Sequence, residues 1–274
     1  MATPRLASVQ LAGADGGPLR ADVRVAGRPG ERRPAVIICH GFKGFKDWGF
    51  FPKLAERLGQ AGFLTISFNF SGSGVAEGDQ FTELDRWGHH KPSVDLQDIG
   101  TVVDYAEEQG ASWIGLVGHS RGGGLAILHA SRDPRVRALV TWAAIDHFLR
   151  FSDADLARWR HEGKLDIVNA RTGQVLPLFP DALDDVERHQ HSLLDIVGAA
   201  GRLTQPWLIV HGAADATVPA HTAERLAAAS GRAQMLSLEG ADHTFGIKHP
   251  WGGSTPAFDR VLDATVGFLS EHLA

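Results

Sequence analysis

Short apolar runs recur along the chain, and amphipathic stretches separate most of them. Continuous apolar runs are typical of strands buried on both faces, whereas apolar residues three or four positions apart indicate helices. The pattern predicts a strand buried on both faces at Ala35–Cys39 and further strands at Leu64–Phe68, Trp113–Val117, Val136–Trp142, Trp207–Val210 and Gln234–Leu238. It predicts helices at Phe51–Ala61, Val94–Gln109 (with Ser93 as N-cap), Gly122–Ser131, Thr222–Ala229 and Ala257–Leu273.

This alternation of strands and helices predicts an α/β fold, a mostly parallel sheet with helices on both faces. Two earlier segments, Leu6–Leu11 and Leu19–Val25, flank a turn rich in glycine and are expected to form a hairpin. In parallel sheets ligands bind at the carboxyl ends of the strands. Functional residues are therefore expected directly after the predicted strands.

One long segment, from about residue 147 to residue 202, interrupts the alternation. It is polar, rich in His, Asp and Arg, and has a predicted helix at Ala154–Glu162. The segments Leu165–Val168 and Val175–Leu178 flank a polar turn and predict a small hairpin. We interpret residues 1–274 as a single domain whose 147–202 insertion forms a lid over the strand ends.

Charge and composition narrow the class of partner. The 274 residues include 27 Lys and Arg against 32 Asp and Glu, a net charge of −5, which favours no nucleic-acid partner. No run reaches the roughly 18 apolar residues of a membrane span, and residues 1–10 lack a signal-peptide core. We expect a cytoplasmic monomer or homodimer with a small-molecule substrate, no nucleic acid and no membrane. The single cysteine, Cys39, is expected to be a buried strand residue.

The segment Gly118-His119-Ser120-Arg121-Gly122 matches the pattern Gly-x-Ser-x-Gly. An apolar strand leads into it and a predicted helix of small residues follows, which is the context of a nucleophile elbow. The glycines permit a sharp turn that lifts the Ser120 hydroxyl above the sheet. Ser120 is therefore the predicted nucleophile.

A serine nucleophile needs a base and an acid that orients the base. His243 follows the last predicted strand and precedes the last helix, in the chain order Ser, acid, His. Asp215 follows the strand at Trp207–Val210 and is the predicted acid, with Asp146 as its rival after the strand that ends at Trp142.

The oxyanion that forms during acyl transfer needs backbone N–H donors. Arg121 should supply one, since it follows the nucleophile, and Phe42, in the loop after the first buried strand, should supply the other. Aromatic residues on or near loops are candidates for the walls of the substrate pocket: Trp48, Phe70, Trp142 and Phe148. No histidine spacing typical of a metal site was found, and no metal or cofactor is predicted.

Together these segments resemble the α/β-hydrolase superfamily over nearly the whole chain. The matching pieces are His40-Gly41-Phe42, Asn69–Gly74, Gly118–Gly123, His211–Asp215 and Asp242-His243. Within the superfamily the chain looks most like bacterial cinnamoyl and feruloyl esterases and their dienelactone-hydrolase-like relatives. The resemblance implies a carboxylic ester substrate, an acyl-enzyme intermediate and no cofactor. Dienelactone hydrolases proper carry Cys at the elbow where this chain has Ser120, so that activity is not implied.

Three alternatives remain open at this point. The same three residues could serve a thioesterase, a peptidase, a carbon–carbon hydrolase or an acyltransferase. The chain could instead be a binding protein that keeps the fold without catalysis, or a scaffold that uses the insertion as a partner surface. Hydrolysis of small aromatic or short-chain esters is the favoured function.

Overall fold

Strands and helices alternate along the structure as the apolar pattern predicts. The computed structural model describes residues 5–25 and 31–273, and within these residues the chain forms ten strands and nine helices. The strands are β1 (Arg5–Ala12), β2 (Pro18–Val25), β3 (Arg33–Cys39), β4 (Leu64–Asn69), β5 (Ala111–His119), β6 (Val136–Trp142), β7 (Leu165–Val168), β8 (Val175–Leu178), β9 (Trp207–Gly212) and β10 (Ala233–Leu238). The helices are α1 (Phe51–Gln60), α2 (Leu84–Gly88), α3 (Pro92–Glu108), α4 (Arg121–Ala130), α5 (Asp153–Glu162), α6 (Pro180–His189), α7 (Ile196–Gly201), α8 (Ala220–Ala229) and α9 (Pro256–Glu271).

Eight strands form one sheet in the order β1-β2-β4-β3-β5-β6-β9-β10. Within this sheet β4, β3, β5, β6, β9 and β10 are parallel, whereas β1 and β2 form an antiparallel hairpin and β2 is antiparallel to β4. This confirms the predicted α/β fold, and the strand order with its helical crossovers is that of the α/β-hydrolase fold. The carboxyl ends of β3, β5, β9 and β10 therefore open on one edge, where the predicted site residues lie.

The central strands are mainly apolar because each face of the sheet is covered. Along β3, Ala35, Ile37 and Cys39 pack in the cluster that contains α3, α4 and α8. Their neighbours Val36 and Ile38 pack on the opposite face with α1 and α9. Alternate residues thus enter different cores, which explains the continuous apolar run.

Some predicted boundaries and helices need correction. Helix α3 begins at Pro92 with Lys91 as its N-cap residue, so the prediction of Ser93 as N-cap is wrong. Proline is favoured in the first helical turn, where its missing N–H costs nothing. Ser93 instead donates from its hydroxyl to Asp185 on α6. Helices α2, α6 and α7 were not predicted, since they are short or carry few apolar residues.

The segment over the strand ends packs around its own small core. Helix α5, the antiparallel hairpin β7–β8 and helix α6 enclose Trp159, Leu176 and Leu183, together with Phe45 and Trp87 from the main domain. Helix α7 packs instead on α4 and α8 in the main layer. The residues over the site are therefore α5 to α6, which we call the lid (residues 153–189). Within the described parts of the chain, none of the helices combines the length and the apolar character needed to cross a membrane.

Candidate active site

Ser120 occupies a strained turn between β5 and α4. Its φ of 56° and ψ of −120° lie outside the regions that L-residues normally adopt. Four backbone hydrogen bonds hold this conformation. The Ser120 N–H donates to the Trp142 carbonyl at 2.8 Å, and the Ser120 carbonyl accepts from Gly123, Gly124 and Ile145. Strain that the surroundings fix in this way is typical of functional residues.

The glycines around Ser120 are required by close backbone contacts. A Cβ on Gly118 would lie 2.4 Å from the Gly122 carbonyl oxygen. A Cβ on Gly122 would lie 2.4 Å from the carbonyl oxygens of Cys39 and His40. The turn is therefore wedged against the end of β3, which brings Ser120 beside the loop that follows β3.

His243 and Asp215 form a hydrogen-bonded pair at the same edge of the sheet. The His243 Nδ1–H donates to Asp215 Oδ2 at 2.7 Å. The other carboxylate oxygen of Asp215 accepts the N–H groups of Thr217 and Val218, each at 2.8 Å. These bonds fix the carboxylate and, through it, the imidazole ring. With Nδ1 bound to Asp215, the Nε2 atom of His243 is available to accept a proton.

The environment keeps Asp215 ionised. Burial raises the pKa of its carboxyl, but the hydrogen bond and charge of His243 and the two backbone donors outweigh burial, and the net pKa is lowered. Asp146, the rival acid, binds His147 at 2.6 Å and Arg225 at 3.1 Å instead. The structure thus places Asp215, and not Asp146, against His243.

Two further histidines support this arrangement. His119 Nε2–H donates to the His243 carbonyl at 3.0 Å, and burial lowers the pKa of His119 to about 3, which keeps it neutral. His40 donates from Nδ1 to the Gly41 carbonyl and accepts at Nε2 from the Phe70 N–H. His119 therefore braces the loop of His243, and His40 braces the loop after β3.

The loop after β3 lies against the nucleophile. A Cβ on Gly41 would lie 3.0 Å from the Ser120 Cβ, and a turn from Gly41 to Gly44 carries Phe42 and Lys43 beside Ser120. Arg121 is the first residue of α4, where the backbone N–H has no partner within its own helix. Both predicted oxyanion donors, Phe42 and Arg121, thus border Ser120.

Two cavities meet at Ser120. The first, of about 290 Å³, is mainly apolar and is roofed by the lid. We call it the lid cavity, and its lining residues are Phe42, His90, Pro92, Ser120, Arg121, Ile145, Phe148, Arg150, Phe151, Trp159, Leu178, Ala182, Val186 and Thr217. The second, of about 200 Å³, is more polar, and we call it the histidine cavity. Its lining residues are Gly41, Phe42, Lys43, Gly44, Trp48, Phe51, His119, Ser120, Asn169, Ala170, Arg171, His243 and Thr244. A larger groove of about 620 Å³ lies elsewhere, around Arg132 and Arg202.

The predicted pocket residues divide between these cavities and the core. Phe148 lines the lid cavity and Trp48 lines the histidine cavity. Trp142 is fully buried against Phe50 and Phe258 and donates its indole N–H to Thr265, so its prediction as a pocket residue is corrected. The prediction of Phe70 as a pocket residue is also wrong. Phe70 packs edge-on against His40 and Phe68 in the core.

A buried charged network beside Ser120 was missed. Asp95, fully buried on α3, accepts from His90 at 2.5 Å and from the Arg121 guanidinium at 2.6 Å. Burial lowers the pKa of His90, so its Nε2–H donates as a neutral ring and its Nδ1 is left as an acceptor. Within the described residues that Nδ1 has no partner, nor does the indole N–H of Trp159. No local sequence motif predicts this network, because His90 lies in a loop, Asp95 on α3 and Arg121 on α4.

Similarity to family models covers two parts of the chain. A family model described as serine aminopeptidase, S33, matches residues 30–148, which include Ser120. A second, described as TAP-like protein, matches residues 187–250, which include Asp215 and His243.

Curated relatives and solved structures extend the comparison. An uncharacterized 31.7 kDa protein in the traX-finO intergenic region of Escherichia coli is 34% identical over 46% of this chain and 40% of its own length. The 2,6-dihydropseudooxynicotine hydrolase of Paenarthrobacter nicotinovorans is 24% identical over 73% of this chain and 49% of its own length. The chain thus spans less than half the length of these relatives. Est1E from Butyrivibrio proteoclasticus, solved with ferulic acid bound, has a TM-score of 0.76 at 22% identity, with 97% of this chain and 99% of that chain covered.

Proposed function

We propose that this chain, which has the α/β-hydrolase fold, hydrolyses carboxylic esters through an acyl-enzyme formed on Ser120. The observation that carries the proposal is that His243, hydrogen-bonded to Asp215, lines the same cavity as the strained Ser120. Asp215 holds His243 with Nδ1 protonated, so that Nε2 can take the serine proton. The N–H groups of Phe42 and Arg121 are the proposed donors to the oxyanion.

The reaction proceeds in two steps of the same kind. Ser120 Oγ attacks the ester carbonyl carbon while His243 Nε2 takes its proton, and the carbonyl oxygen becomes the oxyanion. His243 then returns the proton to the leaving alkoxide oxygen as the carbon–oxygen bond breaks. Water, deprotonated by His243, attacks the acyl-enzyme, and the serine oxygen leaves with that proton.

The two cavities suggest where each half of the ester lies. The leaving oxygen takes its proton from His243, which lines the histidine cavity but not the lid cavity. The lid cavity is lined by Ser120 and both proposed oxyanion donors. We therefore place the acyl group in the lid cavity and the leaving alcohol in the histidine cavity.

The lid cavity suits a small aromatic or short-chain acyl group. Its volume of about 290 Å³ is at the small end for ligand pockets, and Phe148, Phe151 and Trp159 line it. The unpaired Trp159 N–H and His90 Nδ1 offer a donor and an acceptor to oxygen substituents on an aromatic ring. Est1E, whose fold this chain shares, was solved with ferulic acid, an acid of this type.

Peptidase activity is the competing function, because the matching family model is described as a serine aminopeptidase. An aminopeptidase must bind a cationic α-amino group, for which a carboxylate is the natural partner. Among the described residues, the linings of both cavities include Lys43, Arg121, Arg150 and Arg171 but no Asp or Glu. The charges therefore favour a neutral or anionic substrate.

The test is hydrolysis of p-nitrophenyl esters from acetate to laurate, beside methyl ferulate and amino-acid p-nitroanilides. We expect the wild type to cleave short and aromatic esters and Ser120→Ala to cleave none. Circular dichroism verifies that the Ser120→Ala variant is folded. A fluorophosphonate probe should label the wild type only. Failure of the folded wild type to cleave any ester or to react with the probe would overturn the proposal.

A further inference from the structure

Lys43 lies beside the proposed leaving-group site, and no carboxylate among the described residues pairs with it. It is half-buried and lines the histidine cavity with Ser120 and His243. Among the described residues it forms no ion pair, whereas Lys46, Lys53 and Lys164 each pair with a carboxylate. Burial lowers the pKa of the Lys43 ammonium. Withdrawing an unpaired charge from water is unfavourable, and a bound anion would offset that cost.

The backbone at Lys43 is also held in an unusual conformation. Its φ is 57°, a left-handed value that is uncommon for residues other than glycine, asparagine and aspartate. The turn from Gly41 to Gly44 fixes it there. A long charged residue thus occupies a position where glycine would be less strained. Its neighbours in the cavity lining include Ser120 and His243.

A second polar side chain, supplied by the lid, lines the same cavity. Asn169, at the turn of the β7–β8 hairpin, is 6% exposed and lines the histidine cavity. Its Oδ1 accepts from the Arg171 N–H, but its Nδ2 has no partner among the described residues. Two side chains that line the cavity therefore carry unpaired donors, the Asn169 amide and the Lys43 ammonium.

The remaining cation of this cavity is already neutralised. The Arg171 guanidinium donates to Asp79 Oδ2 at 2.7 Å and lies over the Phe45 ring. One uncompensated positive charge remains, together with one amide donor from Asn169. A carboxylate matches this pair, because it has a single negative charge and two acceptor oxygens.

We infer that the histidine cavity selects esters whose leaving alcohol carries a carboxylate, bound by Lys43 Nζ and Asn169 Nδ2. This rests on the proposed ester hydrolysis at Ser120 and on the placement of the leaving group beside His243. The lid hairpin then has a role in specificity, since it supplies one of the two donors.

The test compares two substrates with the same acetyl group, 4-acetoxybenzoate and its neutral methyl ester, methyl 4-acetoxybenzoate. The quantity measured is the ratio of their kcat/KM values, each divided by its rate of hydrolysis by hydroxide. We expect the wild type to favour the anionic ester and Lys43→Gln to lower the ratio about tenfold to hundredfold, the range for a hydrogen bond to a charged group. Lys43→Arg should keep most of the preference, and Lys53→Gln, on the exposed face of α1, is the matched control.

Asn169→Asp provides an independent variant. It keeps the Oδ1 acceptor for Arg171 and replaces only the unpaired amide donor with a negatively charged oxygen, so the same ratio should fall. Competitive inhibition by 4-hydroxybenzoate, the released product, should weaken in both variants. Cleavage of both esters with equal ratios in wild type, Lys43→Gln and Asn169→Asp would overturn the leaving-group inference alone. A wild type that cleaves p-nitrophenyl acetate but neither of these two esters would also overturn the leaving-group inference alone. A wild type that cleaves no ester and does not react with the fluorophosphonate probe would overturn ester hydrolysis and this inference with it.

Discussion

Replacement of Asp215 by Asn tests whether this carboxylate sets the protonation of His243. The Asn side chain has the same shape but carries one acceptor and one donor group. Its oxygen is expected to accept from the N–H groups of Thr217 and Val218, as the carboxylate oxygen does in the wild type. In the opposite orientation the NH2 group, a donor, would face these two N–H donors. The expected orientation points NH2 at His243 Nδ1, which lies 2.7 Å from the carboxylate in the wild type.

The consequence is a tautomer that cannot act as the base. His243 Nδ1 must accept from the amide, so the ring proton moves to Nε2, the atom that should take the proton of Ser120. The substitution also removes the negative charge that stabilises the imidazolium. A change of this kind in a serine protease lowers kcat by about 10⁴-fold, which corresponds to roughly 5 kcal/mol of transition-state stabilisation.

The assay is kcat/KM for p-nitrophenyl acetate at pH 7.5, with thermal unfolding measured on the same samples. We expect a loss of about 10³- to 10⁴-fold in Asp215→Asn. Asp146→Asn is the matched control because Asp146 is equally buried but binds His147 and Arg225. Its rate should stay within a few-fold of wild type. A loss below tenfold in folded Asp215→Asn, or an equal loss in both variants, would refute the assignment.

Three further outcomes are expected. Trp159→Leu should lower kcat/KM for methyl ferulate more than for p-nitrophenyl acetate, because only an aromatic acyl group would use the lost ring and N–H; equal losses would exclude this role. His40→Gln should flatten the pH dependence of stability. Burial lowers the pKa of His40 to about 4 from an ordinary value near 6.5, so its neutral form is favoured in the fold and wild-type stability should fall by up to roughly 3 kcal/mol as pH falls between these values. Urea unfolding at pH 7 and 4.5 measures this, and an unchanged slope in the variant would count against it. Gly123→Ala should lower both the melting temperature and kcat/KM, since its Cβ would lie 2.7 Å from the Ala144 Cβ and displace the turn at Ser120; an unaffected variant would show that the turn is not so constrained.

The apolar pattern predicted the sheet well because burial on both faces leaves a signal in most strand residues. Strands β3, β5, β6 and β9 are mainly apolar, with Arg137 on β6 as an exposed exception, and each is covered on both sides. Helix α6 gave no comparable signal. It buries Leu183 in the small core of the lid and Val186 in the main core, and most of its other residues are polar, so its existence depends on contacts with distant residues.

Local sequence patterns did not predict the buried network around Asp95, for a related reason. His90, Asp95 and Arg121 come from a loop and two helices, and their pairing depends on how α3 packs against α4. A buried aspartate in an amphipathic helix was the one available sign, since a carboxylate on the apolar face requires partners. Partner identity follows only from the folded arrangement.

The errors at Phe70 and Trp142 have a single cause that the sequence itself could have exposed. Side chains alternate between the two faces of a strand, and this alternation does not stop at the residue where the strand meets the loop. Trp142 lies on the same face as Val140, and both enter the core beneath α9. Phe70 continues the face of Phe68, and both enter the opposite core. The lining residues Trp48 and Phe148 lie several residues beyond a strand, where the backbone is free to turn them toward Ser120. A pocket residue in this fold is therefore predicted by two features: how many residues it lies beyond the strand end, and which face of the strand its side chain continues. Aromatic character alone is a poor guide.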